Sequence, residues 1–341
     1  MMKFVRSNFF PLKNTLQSND IVKIVEKYLI NSNIKKKFEI FEISSTNNIK
    51  SNFFFFLNKE IDISFRDDEK LLIITDNKKI YETIDIENKI LVKNNNKVYQ
   101  ILLNQIFIHD DCPDYQDDFE FKNGSYISKF SKIDISAIIS KNCIIGRGVI
   151  IGKNVIVKEN SVIKNAIISD NSIISENTTI GGTGFGFDLN NMGSSNILPQ
   201  IGIVYIDKNV SIGSNCTIDR AKIDITYIGK NSMLDNLIHV AHNVSIGSNA
   251  CIAAQTGISG SVIIGDNLIC GGQVGFAGHI NIGKNVRIAA KSGVTKNIKD
   301  NSVIAGFPAT DIKVWKKNII RNSRCHSIGR HSLLHAFQRR W

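Results

Sequence analysis

From residue 228 to 294 an apolar residue stands at every sixth position: Ile228, Leu234, Val240, Ile246, Ile252, Ile258, Ile264, Cys270, Phe276, Ile282, Ile288 and Val294. A small residue usually follows it, as at Gly229, Ala241, Gly247, Ala253, Ser259, Gly265, Gly271, Ala277, Gly283 and Ala289. A unit of six residues cannot bury its own apolar side chain and buries it against the next turn of chain, which is the logic of a hexapeptide solenoid. Each hexad should form a short strand with one inward residue. Three hexads then close a triangular coil, and successive coils stack at the strand spacing of about 4.8 Å.

The same phase runs earlier through Ile133, Ile139, Ile145, Ile151, Val157 and Ile163, slips by one residue, and resumes at Ile168, Ile174 and Ile180; after a break Ile206, Ile212 and Ile218 continue it. Roughly nine or ten coils follow from this spacing. The stretch from Gly181 to about Ile203 has no period and is expected to bulge outward as a loop, the kind of segment that often carries function.

Before the repeats the pattern changes. Asp20 followed by IVKIVEKYLI predicts an Asp-capped amphipathic helix. FEIFEI at 38–43, FFFFL at 53–57 and LLIIT at 71–75 read as strands, and 98–108 as a second helix packing Ile101, Leu102, Gln105 and Ile106. The chain thus divides into an α/β head at 1–126, a parallel β-helix at 127–307 and a helical extension at 308–341.

Composition narrows the function classes. The formal charge of +11 is spread with Lys and Asn over the whole chain of 341 residues, a global bias that excludes a dedicated nucleic-acid surface and suits steering of acidic or phosphate-bearing partners. Six cysteines without a CxxC pair point to a reducing compartment. With neither a signal-like leader nor an apolar run long enough to span a bilayer, the expected location is cytoplasmic, with at most peripheral membrane contact.

Candidate chemistry sits at the solenoid corners. Of seven histidines, His239, His242 and His279 fall in the repeats, none at an inward position. A neutral imidazole suits general-base work at physiological pH, and Asp235, seven residues before His242, could orient it. Three imidazoles could also bind zinc, although His239 and His242 are only three apart on an extended corner. The run GGTGFGF at 181–187 lacks the GxGxxG spacing and opens no helix, which excludes a dinucleotide fold. Its glycines would let backbone approach a long ligand, with Phe185 and Phe187 adding apolar contact. Gly257, Gly260, Gly271, Gly272, Gly275 and Gly278 suggest a groove along the coils wide enough for an acyl chain or a pantetheine arm. In the head, the run Phe53–Phe56 is either a two-sided core strand or, with Asn58, a stacking and hydrogen-bonding site for a nucleobase.

The segments GGTGFGF, PQIG, NCTIDRA, IGKNSMLDNLIHVAHNVSIG and GHINIG, in this order and spacing, resemble the UDP-3-O-(3-hydroxyacyl)glucosamine N-acyltransferases (LpxD) of lipid A synthesis. The resemblance runs from FFFFLN to about Trp315. It implies a left-handed β-helix, an exception to the right-handed crossover rule, and a homotrimer. The implied reaction moves an (R)-3-hydroxyacyl group from acyl carrier protein to the 2-amino group of a UDP-linked, 3-O-acylated glucosamine. No bound cofactor or metal is implied, since 4′-phosphopantetheine arrives on the carrier. His242 matches the family's base, His279 the supporting histidine, and Gly260 the backbone N–H donor to the oxyanion. Asp235 and its neighbour Asn236 match substrate contacts, Asp235 in the second rank or on the pantetheine arm. Gly184, Phe185 and Gly186 match the loop that meets substrate, and Phe55 with Asn58 the uridine contacts.

Three departures stand out. His239 occupies a position expected to be variable and polar. Ile61 stands where an aromatic hydroxyl would hold the nucleotide. The tail after Arg321, with His326, His331 and His335, matches nothing in the family pattern, while the start of the helix DIKVWKKNII is family-like and its basic face would suit the acidic carrier. Competing expectations are a sugar-nucleotide O-acyltransferase on the same solenoid, a zinc hydratase of the γ-carbonic-anhydrase type, and a trimeric scaffold without activity.

Overall fold

The structure, a computed structural model, describes residues 5–40, 42–45, 52–59, 70–110, 116–188 and 197–326. Ile61, His331 and His335 lie outside them. The hexads form two- to four-residue strands in three parallel columns, within sheets of eight, ten and ten strands; each of the two longer sheets ends in one antiparallel strand. Register follows the period. Ile138 pairs with Ile156, while the slip shortens the next step, so that Ile156 pairs with Ile173. All twelve periodic residues from Ile228 to Val294 are buried in one continuous core running the length of the prism. Ile133 and Ile139, at the open N-terminal end, are only partly covered.

One corner explains the asparagine content. Asn154, Asn171, Asn209, Asn231, Asn249, Asn267, Asn285 and Asn301 all turn the chain with φ between 56° and 63°, a left-handed conformation that asparagine tolerates better than other residues with a side chain. Their carboxamides form a ladder in which each Nδ2 donates to the Oδ1 of the next coil, from Asn154 to Asn301.

The head carries a five-stranded sheet in the order Leu29–Ile34, Asn88–Val92, Leu71–Thr75, Phe53–Phe56, Glu42–Ile43. Its first helix, α1 (Ser18–Ile24), differs from expectation. Gln17 is the cap and Asp20 sits inside the first turn, where its carboxylate accepts the Gln17 N–H in a capping box. The helix also ends early, because Leu29–Ile34 enters the sheet. Helix α2 (Lys78–Thr83), capped by Asn77, escaped the sequence reading. Helix α3 (Asn95–Ile106) buries Val98, Tyr99, Leu102, Leu103 and Ile106 and leaves Gln105 exposed. Helix α4 (Ile312–His326) follows the last coil. No described helix is long and apolar enough to cross a membrane.

Head and solenoid share a core, since Leu198, Ile201 and Ile203 join Phe9, Phe10, Tyr99 and other head residues in one apolar cluster. Arg6, almost fully buried, donates to the carbonyls of Ile43, Ile201 and Ile223 and pairs with Glu42. The Tyr99 hydroxyl donates to the Pro199 carbonyl at 2.8 Å. These contacts fix the head over the base of the ejected loop.

Candidate active site

His242 sits at the corner that follows the strand His239–Val240, half-buried. The tautomer of its neutral ring can be read from its neighbours. Asn243 Oδ1 already accepts the Lys222 backbone N–H at 2.9 Å, so it is an acceptor toward His242 Nδ1 at 3.1 Å as well. In the neutral ring Nδ1 therefore carries the hydrogen, and Nε2 has the lone pair a general base needs. One coil on, Gly260 underlies the ring. A Cβ at Gly260 would lie 2.7 Å from His242 Cε1 and 2.8 Å from Nε2. The glycine is thus a space for the imidazole. The amides flanking it are used in the ladder, Ser259 N–H to the Phe276 carbonyl and Ser261 N–H to the His242 carbonyl.

The glycines of the ejected loop have a similar origin. Gln200, buried, accepts the Gly184 N–H with Oε1 at 3.0 Å and donates to the Gly184 carbonyl with Nε2 at 2.9 Å. A Cβ at Gly184 would meet Gln200 Oε1 and His242 Cβ at 2.8 Å, and one at Gly186 would meet Gln200 Nε2 at 2.7 Å. Here the small residues admit the Gln200 amide and the His242 side chain. Between them Phe185 projects with most of its ring exposed, edge-on to Phe187 at 4.5 Å.

His242, Gly260 and Phe185 open into a cavity of about 630 Å³ whose floor is Gly257, Gly275 and Gly293. A Cβ at Gly257 or Gly275 would touch nothing within 4 Å, so this stretch of wall is bare backbone. At Gly293 the space ends, because a Cβ there would collide with the Phe307 ring at 2.1 Å. Three coil steps separate His239 from Gly293, roughly 14 Å at the strand spacing. Trp315 of α4 packs on Gly306, behind Phe307.

The corner has a second side. Asn243 and Ser261, the residues after His242 and Gly260, line another cavity of about 740 Å³ on the adjacent prism face, with Tyr205, Asp207, Asp224, Tyr227 and Ser45 of the head. Tyr205 and Tyr227 stack there at 5.9 Å, and the Tyr227 hydroxyl donates to Asp207 at 2.9 Å. Burial and that carboxylate push the Tyr227 hydroxyl above its ordinary pKa.

The remaining candidates fall elsewhere. Asp235 is exposed on a different corner, accepts the Asn236 N–H, and does not line the first cavity. A carboxylate nearer this cavity is Asp219, whose Oδ2 stands 3.7 Å from His239 Nε2 and whose carboxyl is held above its ordinary range by burial. Asn236 Oδ1 accepts the Ser214 N–H across the coils at 2.7 Å. His279 turns its corner with φ 60°, exposed, its N–H on the Gly260 carbonyl at 3.1 Å. Phe55 has no exposed surface and packs with Leu57, Leu71, Ile73 and Ile80, while Phe54 fills the opposite core. The run is therefore a two-sided core strand, and Phe55 offers no face to a nucleobase. Asn58 is exposed, and its Oδ1 accepts from the buried Asn95. Among the described residues no three His, Cys, Asp or Glu side chains are arranged to hold a metal ion.

Sequence reasoning missed Gln200, Asp219 and Arg220. Arg220 is fully buried and donates to the Gln200 and Gly181 carbonyls and to the Asp110 carboxylate, clamping both ends of the loop to the head. The signal was present as a charged pair inside an apolar repeat, in the segment TIDRA.

Residues 225–260 match the bacterial transferase hexapeptide family (six repeats). The chain is 48% identical over 145 residues to a UDP-3-O-acylglucosamine N-acyltransferase of Desulfotalea psychrophila, and 51% identical over 145 residues to one of Caulobacter vibrioides. In each case the match covers 42% of this chain and 42% of the relative, so it spans less than half the length of the curated relatives. The resemblance drawn from the motifs holds over these residues. The fold is the left-handed parallel β-helix, shared with a UDP-N-acetylglucosamine acyltransferase of Campylobacter jejuni at TM-score 0.50 and 22% identity, over 62% of this chain and 85% of that one.

Proposed function

We propose that this chain is an N-acyltransferase that moves a 3-hydroxyacyl group from acyl carrier protein to the 2-amino group of a UDP-linked, 3-O-acylated glucosamine. The observation that carries the reading is His242. It has Nδ1 committed to Asn243, Nε2 free to take a proton, and a bare-backbone cavity beginning at its ring. Aminolysis of a thioester needs a base for the amine proton and a donor for the oxyanion. His242 Nε2 takes the proton as the amine nitrogen attacks the carbonyl carbon. The tetrahedral oxyanion is held by the Gly260 N–H, then collapses to the amide and expels the thiolate, which receives a proton from His242.

The acyl chain and pantetheine arm would lie along Gly257, Gly275 and Gly293, against Phe185 and Phe307. The acceptor would enter from the other side of the corner, through the cavity beneath the head, with its nucleotide end toward Asn58. The lysines of α4, at Lys313, Lys316 and Lys317, suit an acidic carrier protein. On this reading the enzyme needs no bound cofactor, works in the cytoplasm, and assembles as a trimer whose flat faces complete the site. His279, two coils from His242, would then act from the rim or across a subunit boundary.

The test is to offer purified protein 3-hydroxyacyl carrier protein with two competing acceptors, UDP-3-O-acyl-glucosamine and UDP-N-acetylglucosamine. Analysis of product masses should find the acyl group on the free amine. Ester on the second acceptor alone would replace this reading with O-acyl transfer, and no product from either would remove acyl transfer to sugar nucleotides.

A further inference from the structure

Three strands of the head, Phe53–Phe56, Leu71–Thr75 and Asn88–Val92, run parallel and release the chain at the same edge of the sheet. In open α/β sheets that is the edge that receives ligands. The residues that follow carry two amides and a carboxylate: Asn58, Asp76 and Asn95, the last in the first turn of α3. These loops are tied together. The buried Thr75 hydroxyl donates to the Leu57 carbonyl at 2.6 Å, one residue before Asn58. Asn96 Nδ2 donates to Asp188 at 3.3 Å, one residue beyond Phe187, so this edge adjoins the loop beside the candidate active site.

The two ends of a carboxamide are told apart by their partners. Asn95, only 3% exposed, is gripped twice by Asp76: its backbone N–H meets Oδ2 at 3.4 Å and its Nδ2 meets Oδ1 at 3.2 Å. A carboxylate only accepts, so the Asn95 NH2 turns toward Asp76. The same Nδ2 gives a hydrogen to Asn58 Oδ1. The carboxylate prevails over Asn95's own acceptor, since Asn95 Oδ1 is buried without a hydrogen-bond partner among the described residues. Asn58, which is exposed, thus has its carbonyl oxygen held by Asn95 and its own NH2 left for solvent or a ligand.

We propose that Asp76 and Asn95 are positioning residues that fix the polarity of Asn58. The head then offers an N–H donor, and selects a nucleobase with a carbonyl at C4, as in uracil, over one with an amine there, as in cytosine. The inference rests on the reading that the acceptor's nucleotide end lies toward Asn58. Uracil O4 accepts from Asn58 Nδ2, whereas cytosine sets its N4 hydrogens against those of Asn58. Selection is relayed from one carboxylate through two amides, and neither Asp76 nor Asn95 has to touch the ligand. Asn58 alone would not select, because an unrestrained amide turns round and serves either base.

The experiment measures UDP and CDP binding to the full-length protein by calorimetry. Wild type should bind UDP about 10-fold more tightly, within the range a correct base contact supplies. In Asp76→Asn the relay is unpinned, and the ratio should fall toward one. Asp76→Asn combined with Asn95→Asp conserves charge but moves the carboxylate along the relay. Position 95 then only accepts, Asn58 turns to give it a hydrogen, and CDP should become the tighter ligand. A UDP-to-CDP ratio unchanged in both variants overturns the inference, as does a wild type that binds the two alike; Asp76→Asn decides should the double variant fail to fold. The relay is also read without nucleotide, from hydrogen exchange of the side-chain amides by NMR, assigned with Asn58→Ala and Asn95→Ala. The Asn95 NH2 should exchange slowly and the Asn58 NH2 fast, and in the double variant Asn58 should gain a protected hydrogen. Equal exchange of the two amides in wild type overturns the relay itself. If wild type binds neither nucleotide, the nucleotide reading and the selection fail together, while amide exchange still decides the relay.

Discussion

Gly260→Ala tests whether the site depends on where the His242 ring sits. The added methyl carbon would stand 2.7 Å from Cε1 and 2.8 Å from Nε2, against an optimal carbon–carbon separation of about 3.5–4.0 Å. The ring must then retreat by roughly 1 Å. Backbone strain does not enter, because Gly260 is not among the residues in the left-handed region. The ring is also half-buried at a corner and can move without disturbing the core of Ile258 and Phe276. A misplacement of about 1 Å costs on the order of 100-fold in rate, which corresponds to roughly 2.7 kcal/mol of barrier. Steady-state kinetics of amide formation should show kcat down by about that factor, both KM values within about threefold of wild type, and a thermal midpoint within a few degrees. Full activity with the ring displaced would refute the reasoning, as would a large loss of stability that accounts for the lost rate.

Gly275→Ala adds a methyl to open cavity floor, so stability should stay the same while the acyl-carrier KM rises severalfold, measured by varying the donor alone. Asp219→Asn should leave the protein at least as stable at pH 7.5. The folded carboxyl has a raised pKa, so its charge penalises the native state at pH values above that raised value and not below the ordinary carboxylate range; chemical denaturation at pH 4 and 7.5 checks the sign. Arg220→Met leaves Asp110 without its buried partner and should cost about 3–5 kcal/mol, read as a lower denaturation midpoint. Asn249→Ala removes two hydrogen bonds of the corner ladder, from Asn231 and to Asn267, and leaves alanine at φ 58°; a loss of roughly 1–2 kcal/mol is expected from the left-handed conformation, and Asn249→Gly should recover the backbone share.

The solenoid was legible because its physics is local and repeated. Every coil needs an inward apolar residue at the same phase, so Ile228 to Val294 announce both strand and burial. Motif resemblance singled out the corner residues His242 and Gly260, but the reason for the glycine needed the ring position. What escaped has no period. Asp219 owes its place to a bulge and a lengthened coil, and Gln200 reaches Gly184 across the base of the loop. Asp235 was a natural candidate by sequence distance, yet seven residues along a triangular coil lead to another corner. In the head, a run of four phenylalanines cannot announce which rings are buried; strand neighbours on both sides close over Phe54 and Phe55. The far end of the cavity was invisible too, since Phe307 reaches it from beyond the repeats.

The most direct test of the central claim is His242→Ala in the carrier-protein assay, scored by the mass of the amide product. A folded variant with transfer reduced by about 100-fold or more, the contribution of a lost general base, is the predicted result. Transfer at the wild-type rate by that variant would contradict the account.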